Sequence, residues 1–219
     1  MNKKELKQYK ISLVGEGGVG KTAIVNRFTY NQFAMEYDPT LEDSYRKQCM
    51  IDEEVVMIEL VDPTSQEDYR VSNYWARFVR DGNGVILVYS VTSRFSFDEI
   101  RKLRQEVLQI AKQDPFPIIL MANKADFGYE RQVSLAGELS WAVAVSPEMI
   151  FIPEGEALAK EFGCYLFEAS AKTGKNIDEA FYELVREIKK SRKEPLSLAD
   201  AKHNSAQEDN GCCNGCVML

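Results

Sequence analysis

An α/β fold with a six-stranded, mostly parallel sheet and helices on both faces is predicted by three observations. Apolar runs of strand length alternate with segments of helical period. A glycine-rich turn joins the first such run to the first helical segment. The chain has 219 residues, enough for one domain of this kind with a good core.

The elements follow in order. Lys10–Val14 is a short apolar run and reads as a buried strand entering the turn Gly15-Glu16-Gly17-Gly18-Val19-Gly20-Lys21-Thr22. Lys21–Tyr30 is the helix that leaves it. Ser44–Ile51 and Val55–Val61 are β-rich runs separated by the turn residues Asp52-Glu53-Glu54, so they form an antiparallel hairpin. Arg70–Arg80 is the next helix, followed by the strand Gly84–Val91, the helix Phe95–Gln113 and the strand Pro117–Ala122. Glu154–Phe162 is a helix and Tyr165–Ala169 the last strand. In Ile177–Ser191 the residues Ile177, Ala180, Phe181, Leu184, Val185 and Ile188 recur at helical spacing, with Asn176 as the expected N-cap. The apolar period then stops. The chain therefore divides into one domain, residues 1–191, and a polar tail, 192–219, that reads as disordered.

Leu135–Ile152 does not fit this rhythm. It has 12 apolar residues in 18, no clean amphipathic period, and too little length to cross a bilayer. It reads as an added surface excursion, as translated intron, or as a docking surface, since an exposed apolar patch of this kind rarely stays bare.

The 27 basic and 34 acidic residues leave a net charge of −7, which excludes a general nucleic-acid binder. Residues from Lys189 onward carry +1 and the remainder −8. Of the five cysteines, Cys49 and Cys164 lie in apolar runs and read as buried thiols, while Cys212, Cys213 and Cys216 crowd the C-terminus. This is no disulfide framework, and a reducing compartment fits it. The single histidine, His203, sits in the tail, so histidine-based triads and histidine-rich zinc sites are set aside. Met1–Leu6 lacks the apolar run of a signal peptide, and no stretch reaches the ~20 apolar residues of a membrane helix.

Gly15–Thr22 fits the phosphate-loop pattern G-x-x-x-x-G-K-[ST]. Its glycines let backbone N–H groups curl toward phosphate oxygens, Lys21 adds positive charge near the outer phosphates, and Thr22 offers a hydroxyl to Mg²⁺. Asn123-Lys124-Ala125-Asp126 follows the fifth strand. A carboxylate at Asp126 can accept from the ring N–H and the exocyclic amine of guanine, a pair that adenine does not offer. Glu168-Ala169-Ser170-Ala171-Lys172 follows the last strand and can present a backbone N–H to the guanine carbonyl; alone it would be a strand-to-helix turn. Thr40, in the long loop after the first helix, can reach a metal only when a third phosphate draws the loop in. Asp62 can hold a metal-bound water, and Gln66 can orient an attacking water.

Together these residues resemble a small GTPase of the Ras family, over about residues 8 to 191 and again at the C-terminus. Tyr37-Asp38-Pro39-Thr40-Leu41-Glu42-Asp43-Ser44-Tyr45 and the following Arg-Lys-Gln are most similar to the effector segment of the Ras and Rap branch. The resemblance implies a phosphate-loop NTPase fold. It implies that Gly15, Glu16, Gly17, Gly18, Val19, Gly20, Lys21, Thr22 and Ala23 hold the phosphates, that Phe33 packs on the guanine, and that Tyr37 also lies at the nucleotide. Thr22 and Thr40 would bind Mg²⁺, with Asp62 acting through water. Asn123, Lys124, Asp126, Ser170, Ala171 and Lys172 would read the base, and residues 37–45 would meet effectors. Gln66, Lys21 and Thr40 would carry hydrolysis.

Two features depart from the family. Its usual second switch, Asp-Thr-Ala-Gly-Gln, is here Asp62-Pro63-Thr64-Ser65-Gln66. Ser65 keeps the N–H but adds a Cβ, Pro63 removes an N–H, and Thr64 places a bulkier side chain beside the phosphate, so loop closure and hydrolysis are the functions at stake. The second departure is Leu135–Ile152; without it, Arg131–Ser134 would run almost directly into Glu154–Ala159, the family's usual loop-to-helix sequence.

Cys216-Val217-Met218-Leu219 fits C-a-a-X, and its final leucine favours geranylgeranyl. One lipid anchors marginally, so a second signal is expected: palmitate on Cys212 and Cys213, or the cations of Lys189–Lys193. The expectation is a monomeric, lipid-anchored GTP/GDP switch for signal transduction at the cytoplasmic face of the plasma membrane. It would hydrolyse GTP, bind effectors in the GTP state, and work with an exchange factor and a GTPase-activating protein. The alternative is a slow or non-hydrolysing GTP-binding module of the same fold. An ATP-dependent kinase fails on Asn123–Asp126 and the lipid motif.

Overall fold

The computed structural model of the chain describes residues 6–33, 44–61, 74–111, 115–133 and 154–192. The elements are β1 (Lys7–Val14), α1 (Lys21–Tyr30), β2 (Ser44–Ile51), β3 (Glu54–Val61), α2 (Tyr74–Asp81), β4 (Gly84–Ser90), α3 (Arg94–Asp98), α4 (Ile100–Ala111), β5 (Ile118–Asn123), a 3₁₀ turn (Gly128–Glu130), α5 (Glu154–Phe162), β6 (Tyr165–Glu168) and α6 (Ile177–Ser191). The six strands form one sheet in the order β2-β3-β1-β4-β5-β6. All neighbouring pairs are parallel except β2–β3.

That exception has a local cause. Asp52 and Glu53 both take positive φ, 51° and 63°, the backbone of a tight hairpin turn whose twist matches its strands. Ile51 therefore pairs with Glu54 and Ser44 with Val61.

Alternation along each strand builds two cores. From β4, Ile86 and Val88 face one side with β1 residues Tyr9, Ile11 and Leu13, where α1 and α6 cover them through Ile24, Phe28, Phe181 and Leu184. Val85, Leu87, Tyr89 and Val91 face the other side, under α2, α4 and α5, where Trp75, Val79, Ile100, Val107 and Leu158 pack. β4 and β5 are buried along their whole length, as strands covered on both faces must be.

Several sequence expectations change in detail. The helix expected over Phe95–Gln113 is broken at Glu99. The first piece starts on Ser93, whose side chain accepts from the Ser96 N–H, and ends where the Glu99 N–H turns back to Phe95 O and Phe97 O. β5 begins at Ile118, not Pro117, because proline has no N–H to give the ladder. Pro117 still accepts from the Val85 N–H through its carbonyl, at 3.0 Å. β4 stops at Ser90 and β6 at Glu168, each one residue short of the expected end. Asn176 stands at the start of α6 but makes no capping bond there. Its backbone is left-handed (φ 55°), and its side-chain amide donates instead to the Glu168 carbonyl at 2.7 Å. Of the helix expected at Arg70–Arg80, residues 70–73 lie outside the described residues. So do 134–153, which include the apolar segment, and the tail beyond Arg192.

Candidate functional site

The chain switches direction in the sheet between β1 and β4, and ligand sites of open α/β sheets lie beyond the carboxyl ends of strands at such a point. Three loops converge on that edge: Gly15–Gly20 after β1, Lys124–Asp126 after β5, and Ala169–Lys172 after β6.

The first loop is shaped by close approach. A Cβ at Gly15 would run into the Val88 carbonyl oxygen of β4, so only glycine lets the chain lie flat against the sheet. Gly18 and Gly20 take φ of 73° and 96°, the left-handed backbone that folds the loop back into α1. The helix begins with Ile24 N–H donating to Gly20 O at 3.0 Å, and its first turn carries no acidic residue. Its positive end therefore faces the loop, an arrangement suited to phosphate. Lys21 is buried, and its amine donates to the carbonyls of Gly15 and Glu16, both at 2.8 Å. A buried ammonium held at the mouth of a glycine cradle fits a triphosphate. Thr22, half-buried at the helix start, supplies a hard oxygen of the kind Mg²⁺ takes. Ala23 follows it, half-buried.

The other two loops are tied to the first through Asn123. This side chain is 1% exposed. Its amide donates to the Val19 carbonyl at 2.8 Å, and its oxygen accepts the Ala171 N–H at 3.2 Å. One side chain thus fixes the phosphate loop and the Ser170–Lys172 loop relative to each other. Gly20 belongs to the same contact, because a Cβ there would sit 2.5 Å from the Asn123 amide nitrogen. Lys124 takes φ 65° and turns the chain so that Asp126 faces solvent. Ser170, buried, donates its hydroxyl to the Asp126 carboxylate at 2.6 Å and accepts the Thr173 N–H at 3.1 Å. The carboxylate is held by one hydrogen bond at the protein surface, in reach of a planar base.

Arg27 of α1 was not anticipated as part of this site. Its Nε donates to Ala171 O at 2.7 Å and its Nη2 to Lys172 O, clasping the base-side loop from beneath. No sequence pattern announces a guanidinium bonded to carbonyls 144 and 145 residues away. Lys172 is exposed, with its ammonium 5.6 Å from the centre of the Phe127 ring. Phe33 is exposed just beyond α1.

Of the two cysteines expected as buried thiols, Cys49 is buried and Cys164 only half-buried. Cys49 is buried, and burial raises its pKa above the ordinary thiol value. Burial pushes the Cys164 thiol up to about 11.

Tyr37, Asp38, Pro39, Thr40, Leu41, Glu42, Asp43, Asp62 and Gln66 lie outside the described residues, as do Cys212, Cys213 and Cys216. Ser44 and Tyr45 begin β2, where Tyr45 is buried opposite Leu60.

Comparison with known proteins agrees with this architecture. The family described as "Ras family" matches residues 10–190. A "Ras-like protein" of Laccaria bicolor is 40% identical over 228 aligned residues, covering all of both chains. "Ras-like protein 2" of Mucor circinelloides f. lusitanicus is 39% identical over 208 residues, covering 95% of this chain and 94% of its own. The glycine loop with its buried Lys21, the surface carboxylate of Asp126 and the Asn123 that links their loops thus stand on a chain that belongs to the Ras family.

Proposed function

We propose that this protein is a membrane-anchored GTP/GDP switch whose GTP state is long-lived because its second switch is altered. Family membership carries the coarser statement, a small GTPase of the GTP-binding switch type. The observation that supports the guanine-nucleotide part of this reading is the Asn123 link. It holds a glycine cradle with a buried lysine at a set distance from a loop that presents Asp126 and the Ala171 region, which suits a guanine nucleotide spanning both.

In this reading Asp126 accepts from the guanine N1–H and amine, and the loop Ser170–Lys172 meets the base carbonyl. Lys21 places its charge beside the outer phosphates. Bound Mg²⁺ would neutralise phosphate charge and hold the outer phosphates in line for attack; Thr22, Thr40 and, through water, Asp62 are the residues to hold it. Thr40 draws the loop of residues 37–45 into the shape that effectors meet. Gln66 orients the attacking water, but only when the second switch closes.

Pro63-Thr64-Ser65 opposes that closure. A misplaced Ser65 N–H forfeits one hydrogen bond to a charged oxygen, roughly 1.5–3 kcal/mol. Each 1.36 kcal/mol is tenfold in rate, so hydrolysis falls by ~10- to 100-fold. Cys216, carrying a geranylgeranyl group, anchors the chain at the cytoplasmic face of the plasma membrane, with Cys212, Cys213 and the Lys189–Lys193 cations as the second signal.

Single-turnover GTP hydrolysis tests this. A variant with Asp-Thr-Ala-Gly-Gln restored at residues 62–66 should hydrolyse ~10- to 100-fold faster than the wild type and bind GDP equally well, because GDP lacks the phosphate at issue. If the restored variant is no faster, the second switch is not the cause of a slow rate.

A further inference from the structure

Arg131 and Glu168 form the least exposed ion pair among the described residues whose partners come from different elements, with side chains 8% and 12% exposed. The guanidinium bonds the carboxylate through two nitrogens, Nη1 to Oε1 at 2.6 Å and Nη2 to Oε2 at 3.2 Å. Two parallel charged bonds of this kind fix direction as well as distance.

Each partner stands at a junction. Glu168 ends β6, and the next residues are Ala169, Ser170 and Ala171, the base-side loop. That loop hangs from Glu168. The Ala169 N–H donates to Ala122 O at 2.8 Å, and Asn176 grips the Glu168 carbonyl. Arg131 follows the 3₁₀ turn after β5, in the stretch 131–133. There the chain is pinned: the N–H groups of Gln132 and Val133 both donate to Val91 O, at 2.8 and 3.2 Å. Arg94 closes the same stretch with two of its donors. Its N–H bonds Gln132 Oε1 at 2.9 Å, and its Nη1 bonds Glu154 Oε1 at 2.6 Å. Val133 and Glu154, the described residues on either side of 134–153, are thus both held, and Arg131 joins that fixed point to the Ala169–Lys172 loop.

We propose that Arg131 and Glu168 are a positioning pair that sets how long guanine nucleotide stays bound, by holding the Ala169–Lys172 loop to the pinned stretch 131–133. The proposal rests on the guanine reading of the site. In this reading neither side chain is a nucleotide contact. The pair acts through Ser170 and Ala171, which lie two and three residues beyond Glu168 and bond Asp126 and Asn123. Without Arg131 a nearly buried carboxylate must find water or shift, and the strand end moves with it.

The test uses the full chain loaded with fluorescent GDP and measures release in excess GDP, beside single-turnover hydrolysis of preloaded GTP. Arg131→Met and Glu168→Gln should each speed release ~10-fold, with hydrolysis of the GTP that remains bound within about twofold of wild type. Arg131→Lys, which keeps the charge but not the fork, should fall between. The double variant should release no faster than the faster single variant, because the two changes break one interaction. Release within twofold of wild type in all variants overturns the proposal. So does a parallel loss of hydrolysis and thermal stability with no change in release, which marks a merely structural pair. Should Arg131→Met not fold, Arg131→Lys and Glu168→Gln decide by the same criterion. A wild-type chain that takes up no GDP refutes the guanine reading itself, a separate result.

Discussion

Asn123 at the end of β5 donates its side-chain amide to the Val19 carbonyl at 2.8 Å, and so ties the base-side loops to the phosphate loop 104 residues earlier. The same side chain accepts the Ala171 N–H. Replacement by alanine removes both bonds and leaves Val19 O and the Ala171 N–H buried without them. Asn123→Ala should weaken GDP binding by about 10- to 100-fold and lower the midpoint of thermal unfolding, since each buried group left unsatisfied costs ~1–3 kcal/mol. Titration with fluorescent GDP and a melting curve check both.

Asp126→Asn separates reading the base from building the loop. An amide oxygen can still accept from Ser170, so the fold should hold. The charged acceptor for guanine is lost, which at two hydrogen bonds of ~1.5–3 kcal/mol each costs about 3–6 kcal/mol of GDP affinity. Calorimetry with GDP measures it, and an unchanged affinity would remove Asp126 from the site.

Gly15 and Gly17 should behave differently although they are two residues apart. Gly15→Ala drives a Cβ into a backbone oxygen of the central strand β4, which cannot step aside, so destabilisation of ~1–3 kcal/mol or more and loss of nucleotide binding are expected. Nothing lies within 4 Å of a Cβ at Gly17. Gly17→Ala should leave stability within about 0.5 kcal/mol of wild type. Urea unfolding of the two variants side by side makes the comparison.

Glu54 gives the fold a pH dependence with a definite sign. The ammonium of Lys7, and then that of Lys189, hold its carboxylate at 2.7 and 3.0 Å and lower its pKa to about 2. A group whose folded pKa lies below its unfolded value stabilises fully above the unfolded pKa and loses that contribution as pH falls toward the folded one. The stability gap between wild type and Glu54→Gln should therefore be constant above the ordinary carboxylate range and shrink as pH falls from about 4.5 toward 2. A gap that widens on acidification would contradict the assignment.

Most of the fold was legible in the sequence, for identifiable reasons. α1, β2, α5 and α6 have the bounds that period and turn residues predict, because each is delimited by a glycine-rich turn, a hairpin turn or a sharp change in apolar spacing. The break at Glu99 was not legible, because the apolar spacing of Phe97, Ile100 and Leu103 runs through it. The site motifs were legible as motifs. What they lacked was the wiring: Arg27 on the carbonyls of Ala171 and Lys172, and Asn123 on Val19, are long-range bonds to backbone atoms, and backbone atoms carry no sequence signal.

The anchor is a separate prediction. Cys216→Ser should move the protein from the membrane to the soluble fraction, whereas Cys212→Ser with Cys213→Ser should leave prenylation intact and weaken plasma-membrane residence. Mass spectrometry of the C-terminal peptide from the native host reads the modification directly. An unmodified Cys216 there would end the anchor reading.

The central claim is that this arrangement holds a guanine nucleotide. Displacement of fluorescent GDP from the wild-type chain, in Mg²⁺ buffer, by unlabelled GTP and by unlabelled ATP tests it most directly. GTP should displace the label at near-stoichiometric concentration and ATP should not at a large excess, because adenine offers Asp126 no matching pair of donors. Displacement by ATP as effective as by GTP would contradict it.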